Sequence, residues 1–313
     1  MLMKRRSVQA PNAVVMIRPH HFQPNAETAG DNKFQTLPKN LSKAEIAKRA
    51  FEEVTHAVAT LETYGVRVHL FEDEGTQTPD SVFPNNWFST HPGGHLAIYP
   101  MFAPSRRKER RMDIIEKLKH CYRVQEVVDY SGLEPDEIYL EGTGAMVLDH
   151  VERVAYGVKS NRLDPIALER FCTHFGYEPM VFDAKDASSN DVYHTNVLMC
   201  IATDFVLMST EMIVDKKRRT EIIERFEQSG RKLIDLSAEQ IAAFAGNAIE
   251  LTGTDGHVLV LSQTAFDALT DTQKRTIGKS AKLLPISVPT IEMAGGSVRC
   301  MIAGVHLSPR PNS

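Results

Sequence analysis

The stretch DPIALERFCTHFGYEPMVF at residues 164–182, followed by NVLMCIATDFVLM at residues 196–208, shows the unit from which the chain is built. Its first part has the apolar spacing of a helix over 164–175 and then a strand-like run over 179–182. Its second part predicts two strands around a turn at residues 202–204 that contains Asp204. The unit therefore runs helix, strand, hairpin.

The same unit recurs five times along the chain. Predicted helices begin at residues 42, 105, 164, 216 and 265, so successive starts are 63, 59, 52 and 49 residues apart. In the first helix Ser42 is a plausible N-cap, and apolar residues from Ile46 to Leu61 follow at helical spacing. Helices are predicted over 42–63, 105–119, 164–175, 216–229 and 265–278, strands over 66–71, 124–128, 179–182, 232–236 and 284–288, and hairpins over 82–101, 144–157, 196–208, 247–261 and 298–306.

Repeats of this length indicate an array or a closed ring, because one unit cannot bury its own apolar face. The lack of polar end units favours the ring, which the N-terminal strand over 13–18 would complete beside the last hairpin. Length alone leaves a choice between two domains and one. We predict an α/β fold in a single domain over 1–313, with residues 1–41 forming an N-terminal strand and loop; an ordinary αβ protein with loosely spaced elements is the alternative.

The composition excludes several classes of protein. Of the 313 residues 42% are hydrophobic and 24% are charged, so the chain can bury a large core and is not disordered. The net charge of -4 disfavours a nucleic-acid binder. Apolar runs are far shorter than the roughly 20 residues of a membrane span, and the N-terminus lacks the apolar stretch of a secretory signal. We expect a cytoplasmic protein without nucleic-acid or membrane partners.

The four cysteines are widely spaced and have no CxxC pair or flanking histidine pair; they are Cys121, Cys172, Cys200 and Cys300. Neither a zinc site nor a disulfide framework is indicated, so we expect reduced thiols.

Polar residues stand near the start of four predicted hairpins, in otherwise apolar surroundings. If the units are related by pseudo-rotation, these residues face a common axis; they are Asn85 and Asn86, Glu141, His194 to Asn196, and Arg299 with Cys300. A cysteine nucleophile needs a base or a cation, which His194 could provide. An ionised Glu141 would accept hydrogen bonds from a guanidinium or an imidazolium. A structural histidine, a turn carboxylate and a core cysteine are the alternatives.

Motifs spread over about 280 residues resemble, in the same order, the guanidino-modifying or amidinotransferase superfamily, and within it the citrulline-utilisation hydrolase-like branch. The motifs are RPHHF at 18–22, TAGDNKFQ at 28–35, FPNNWF at 83–88, LEGTG at 140–144, YHTN at 193–196 and GGSVRC at 295–300. The resemblance implies a five-bladed β/α propeller. It also implies that Cys300 is the nucleophile, that His194 is the acid/base and that Glu141 supports the histidine and a substrate guanidine. No metal or organic cofactor is implied, because a covalent cysteine intermediate carries the reaction.

The chain departs from the arginine deiminases of that superfamily, which have aspartates where this sequence has Asn86 and Asn196. An asparagine both donates and accepts hydrogen bonds, and it lacks the charge that favours a guanidinium. We therefore hypothesise a substrate with a ureido group, as in citrulline, or two successive hydrolyses of arginine to ornithine, carbon dioxide and two ammonia. The alternative is that the asparagines only adjust the affinity for a guanidine.

An amino-acid substrate also needs a partner for its carboxylate. Arg162 and Arg106 resemble substrate-binding positions of the family, although Arg107 is an equally near neighbour and the basic run at 106–111 is typical of a solvated helix start. Asn32 or Asp31 is expected to contribute from an N-terminal loop over the pocket. Asn247 matches a recurrent asparagine of the family, and a structural turn is an equal alternative.

The leading hypothesis is a cysteine-dependent hydrolase that acts on a guanidino or ureido amino acid and releases ammonia. An amidinotransferase of the same fold, which needs room for an acceptor amine, and an inactive binding protein are the rivals. The expected partner is the small-molecule substrate, and a homo-oligomer is compatible with the sequence.

Overall fold

The computed structural model describes residues 8–30, 32, 34–36, 41–186 and 188–311. Within them the strands are β1 Ala13–Pro19, β2 Arg67–Asp73, β3 Phe88–His91, β4 His95–Ile98, β5 Glu126–Asp129, β6 Met146–Asp149, β7 Val154–Val158, β8 Glu178–Phe182, β9 Met199–Ile201, β10 Phe205–Met208, β11 Lys232–Asp235, β12 Ile249–Gly253, β13 Gly256–Ser262, β14 Lys282–Ile286 and β15 Ala303–Gly304.

The α-helices of the same residues are α1 Lys43–Thr63, α2 Pro104–Arg107, α3 Met112–Cys121, α4 Gly142–Ala145, α5 Pro165–Phe175, α6 Thr195–Leu198, α7 Lys216–Gln228, α8 Ala238–Ala242, α9 Gln263–Ala268, α10 Asp271–Ile277 and α11 Pro289–Glu292. Two 3-10 helices, η1 Pro84–Asn86 and η2 Ser131–Asp136, accompany them. None of the helices in the described part is long and apolar enough to span a membrane.

Within the described residues the strands form five three-stranded sheets of one pattern. In each sheet the middle strand pairs antiparallel with one neighbour and parallel with the other. A helical crossover joins the two parallel strands, which a tight turn could not connect. The sheets are β15-β1-β2, β3-β4-β5, β6-β7-β8, β9-β10-β11 and β12-β13-β14. The predicted α/β class is confirmed.

The first and last strands of the chain share a sheet. Val14 of β1 pairs with Gly304 of β15 in antiparallel register, while Ala13 of β1 pairs with Arg67 of β2 in parallel register. The N-terminal strand therefore lies beside the C-terminal one, as predicted. The hairpin predicted over 298–306 is wrong, because β15 takes β1 as its antiparallel partner and residues 298–301 form a turn instead.

Two of the five predicted helices are divided. The helix predicted over 105–119 becomes α2 and α3, and the one over 265–278 becomes α9 and α10. In the second case Thr270 caps a new helix, since its hydroxyl accepts from Gln273 N while the Gln273 side chain accepts from Thr270 N. The other three helices have the predicted extents to within a residue.

Apolar spacing explains how the helices cover the sheets. The buried face of α1 consists of the residues that its pattern predicts, from Ile46 through Ala50 and Val54 to Leu61. Ser42 caps this helix in a reciprocal capping box with Glu45. All five residues of the middle strand β7 are buried, as expected for a strand covered on both faces.

Candidate active site

Polar side chains converge where the first strand of each sheet begins. The residues lie in the short turns and helical segments that precede β3, β6, β9, β12 and β15, and each is at most 3% exposed; they are Asn86, Glu141, His194, Asn196, Asn247 and Cys300. Glycines allow these turns to touch. A Cβ on Gly142, which has a φ of 45°, would lie 2.5 Å from the carbonyl oxygen of Asn85.

The sulfur of Cys300 is held by two amides. Asn196 Nδ2 and Asn247 Nδ2 each donate to Sγ over 3.2 Å. Cys300 also borders a cavity. Cys172 and Cys200 lie in the apolar core instead, where burial raises the pKa of each thiol to about 12. Among the four cysteines, Cys300 is the one that lies in this polar cluster.

His194 is held between a carboxylate and an amide. Its Nε2 lies 2.8 Å from Glu141 Oε2, and its Nδ1 lies 3.4 Å from Asn86 Nδ2. An amide donor at Nδ1 places the imidazole proton on Nε2, which donates to Glu141. Burial lowers the pKa of His194, against the opposing effect of Glu141, so the imidazole is neutral at pH 7.

Glu141 is the centre of a charged cluster. Arg162 Nη1 donates to its Oε2 over 3.0 Å, Arg106 Nη1 lies 3.6 Å away, and Phe102 N donates to Oε1 over 3.0 Å. Burial alone would raise the pKa of this carboxyl, but Arg162, His194 and Arg106 hold it well below its ordinary range. Glu141 is therefore ionised, and it lies behind His194 rather than on the cavity wall.

Two carboxylates that the sequence analysis did not identify complete this cluster. Glu109 accepts two hydrogen bonds of 3.0 Å from the guanidinium of Arg106, and Asp80 Oδ2 lies 3.6 Å from Arg106 Nε. Burial raises the pKa of both carboxyls despite the nearby Arg106. The i,i+3 spacing of Arg106 and Glu109 could have suggested this pairing.

The structure distinguishes the two adjacent arginines. Arg106 is 4% exposed and borders the cavity, so the interpretation of the basic run as a solvated face does not hold for this residue. Arg107 instead donates to the backbone carbonyls of Met101 and Phe102.

A cavity lies between these groups. Of the predicted site residues, Cys300, His194, Asn86, Arg106, Arg162 and Asn32 border it, together with Thr28, Asp80, Phe83, Tyr193, Ala294 and Gly296. Asn32 is held at the cavity wall by a hydrogen bond of 3.0 Å from its Nδ2 to Ala294 O. Asp31, the alternative to Asn32, lies outside the described residues.

Two polar features of the cavity wall bear on which groups it can bind. Asn86 Oδ1 is buried and accepts no hydrogen bond, so it can accept one from an N–H or O–H group of a bound molecule. Arg106 and Arg162 place positive charge on the wall, and Arg106 Nε lies 3.6 Å from the carboxylate of Asp80. Among the described residues no group of three or more His, Cys, Asp or Glu side chains could hold a metal ion.

The family model described as N,N dimethylarginine dimethylhydrolase, eukaryotic, matches residues 18–307. The chain belongs to this family. Its membership confirms the resemblance to the guanidino-modifying enzymes that the motifs indicated. No curated protein is significantly similar to the chain in sequence.

Solved structures share the fold of this family member. ArgZ, an arginine dihydrolase from the ornithine-ammonia cycle in Cyanobacteria, superposes with a TM-score of 0.72 at 16% identity, over 93% of this chain and 40% of ArgZ. Unliganded AgrE gives 0.73 at 18% identity, over 96% of this chain and 40% of AgrE. A dimethylarginine dimethylaminohydrolase adduct with S-methyl-L-thiocitrulline gives 0.61 at 14% identity, over 94% and 99%. The chain thus spans 40% of ArgZ and AgrE, but it covers 96% of the N-terminal domain of ArgZ.

Proposed function

We propose that the protein is a cysteine-dependent hydrolase that cleaves the guanidino or ureido C–N bond of an arginine- or citrulline-like amino acid and releases ammonia. The observation that carries the proposal is the placement of Cys300, a neutral His194 and the unpartnered Asn86 Oδ1 around one cavity. The N-terminal domain of ArgZ, which has this fold, has been trapped covalently bound to a reaction intermediate.

The proposed reaction has two halves. Cys300 gives its thiol proton to the neutral His194, and the resulting thiolate attacks the central guanidino carbon to form a C–S bond. The protonated His194 passes that proton to one guanidino nitrogen, whose C–N bond breaks as it leaves as ammonia. His194, neutral again, then takes a proton from water, whose oxygen attacks the same carbon and breaks the C–S bond. The sum is arginine plus water giving citrulline plus ammonia.

The amino-acid end of the substrate is assigned to the charged part of the cavity. We assign the carboxylate to Arg162 and Arg106, and the ammonium group to Asp80. Burial makes each of these contacts stronger than it would be at the surface. Asn32 and Thr28 would close over the bound molecule.

Asn86 bears on whether the reaction stops after one hydrolysis. Its Oδ1 would accept from a substrate N–H, and the second N–H of its Nδ2 would donate to a ureido oxygen. A second cycle would then convert citrulline and water to ornithine, carbon dioxide and ammonia. ArgZ, which has this fold, is an arginine dihydrolase, and that activity supports the proposal of two successive hydrolyses.

We propose that the five sheets are the blades of a β/α propeller in a single domain over 1–313 with pseudo-five-fold symmetry, and that the protein acts in the cytoplasm. The five-fold repetition of one sheet pattern supports the propeller.

The purified protein should be incubated separately with arginine, citrulline and asymmetric dimethylarginine, and its products quantified. Two ammonia and one ornithine per arginine support two hydrolyses, one ammonia with accumulating citrulline limits the reaction to one, and dimethylamine identifies a methylated substrate. Transfer of the amidino group to added glycine would identify an amidinotransferase instead. Cys300→Ser should abolish turnover while Cys121→Ser retains it; no product from any substrate would overturn the proposal.

A further inference from the structure

The nucleophilic sulfur has no basic side chain as a hydrogen-bonding partner in the described part of the structure. Both imidazole nitrogens of His194 are engaged, one by Glu141 and the other by Asn86. The Arg299 guanidinium, next to Cys300 in sequence, donates from Nη1 to Ile302 O instead. Only amide N–H groups therefore donate to Sγ in the described residues.

Hydrogen bonds fix the orientation of the Asn247 amide independently of the sulfur. Its Oδ1 accepts from Arg299 N over 3.0 Å, and its Nδ2 donates to Asn196 O over 3.2 Å. A backbone N–H can only donate, so the amide oxygen must face Arg299 and the NH₂ group must face Cys300. The side chain is fully buried.

The backbone around Asn247 is shaped for this contact. A Cβ on the preceding Gly246 would lie 2.6 Å from the carbonyl oxygen of Val197. Glycine thus lets the turn before β12 approach α6, which carries Asn196. The two asparagines are brought to the same sulfur by neighbouring sheets.

We propose that Asn247, together with Asn196, stabilises Cys300 as the nucleophilic thiolate by donating two N–H groups to Sγ. A thiolate is a much stronger acceptor than a thiol, so these bonds favour the charged form. The same two hydrogen bonds stabilise the thiolate again when the C–S bond breaks at the end of each hydrolysis. This role rests on the proposed function and deepens it, because it places at the reacting atom an asparagine for which the sequence left a structural turn as an equal alternative.

The thiolate is tested by alkylation, which needs no substrate. Asn247→Asp keeps the shape and the bond to Arg299 N, but it turns an oxygen toward the sulfur in place of the N–H. The rate of iodoacetamide modification at Cys300 should be followed by peptide mass spectrometry, with Cys121 in the same protein as internal reference. Tyr193 and Arg299 interact electrostatically with Cys300, and His194, Arg106 and Arg162 border the same cavity; all five are unchanged in this variant.

We expect the Cys300 rate at pH 7.5 to fall at least tenfold in Asn247→Asp and severalfold in Asn247→Ala, and both deficits to close as the pH rises to 10. The exposed Asn12→Asp should leave the rate unchanged. A wild-type rate at pH 7.5, or a deficit that persists at pH 10 in folded protein, would overturn the proposal. If Asn247→Asp does not fold, Asn247→Ala decides by the same criteria. Normal alkylation behaviour without turnover of any amino acid would refute the proposed function and leave this inference standing.

Discussion

The Glu141 carboxylate lies 2.8 Å from Nε2 of the His194 imidazole, and both side chains are closed off from solvent. The carboxylate also accepts a hydrogen bond from Arg162, so one acidic group fixes both the orientation of the imidazole and a guanidinium on the cavity wall.

The protonation of His194 should set the acidic limb of the pH profile. Burial lowers the pKa of His194 from 6.5, so the neutral form persists to lower pH than in a free imidazole. We expect kcat/KM for the active substrate to be maintained on the acidic side until below pH 6.5. In Glu141→Gln the limb should move further down, because the charge that favours the imidazolium is lost. A limb centred above pH 6.5 would contradict this assignment.

Loss of the Glu141 charge should also destabilise the fold. Glu141→Gln leaves Arg162 and Arg106 less compensated in a buried site, and we expect a loss of about 3–5 kcal/mol in the free energy of unfolding. Urea denaturation measures this change. Glu52→Gln, at an exposed residue paired with Lys48, should cost less than about 1 kcal/mol. Equal losses of unfolding free energy in the two variants would contradict the conclusion that Glu141 compensates buried charges.

A methyl group at residue 144 should disturb the site without touching the nucleophile. A Cβ on Gly144 would lie 2.4 Å from Asn86 Nδ2 and 3.0 Å from His194 Nδ1, so both side chains must move. We expect Gly144→Ala to lower kcat by about 100-fold, the cost of a displacement near 1 Å. Gly132→Ala, where a Cβ meets no atom within 4 Å, is the control and should retain full activity.

The two arginines at the cavity should act through the substrate carboxylate. Arg162→Lys keeps the charge but loses the fork geometry, and we expect kcat/KM for arginine to fall by about 10–100-fold, the equivalent of about 1.5–3 kcal/mol for a charged hydrogen bond. The effect should be smaller for agmatine, which has no carboxylate. Arg107→Lys, whose guanidinium binds backbone carbonyls, should leave both rates near wild type. An equal loss for arginine and agmatine would show that Arg162 acts through Glu141 alone.

The periodicity of apolar residues was sufficient to predict the helices and strands whose packing partners are close in sequence. The α1 face from Ile46 to Leu61 and the four hairpins up to residue 261 depend on local apolar spacing and turn residues, so they could be predicted. The hairpin over 298–306 could not, because β15 pairs with β1, almost 290 residues earlier. A pattern of alternating residues does not specify which strand edge it will meet.

The candidate site likewise has features that the sequence predicted and features that depend on contacts between distant parts of the chain. Their shared position in the repeat predicted that Cys300, His194 and Glu141 face one axis. In the structure Cys300 and His194 border one cavity, and His194 binds Glu141. The sequence did not show the choice between Arg106 and Arg107, the buried carboxylate of Asp80 or the contact of Asn247 with the sulfur. Glu109 was missed although its spacing from Arg106 could have suggested the pair. Each depends on which way a side chain points once several sheets have packed.

The sequence by itself determined the repeated unit, the class of fold and the residue types available for chemistry, because local spacing governs burial and turn formation. Only the tertiary structure decided which amides face the Cys300 sulfur and which guanidinium faces the cavity. The reason is physical: hydrogen bonds and charges act over a few ångströms, and those distances are set by the packing of sheets that are far apart along the chain.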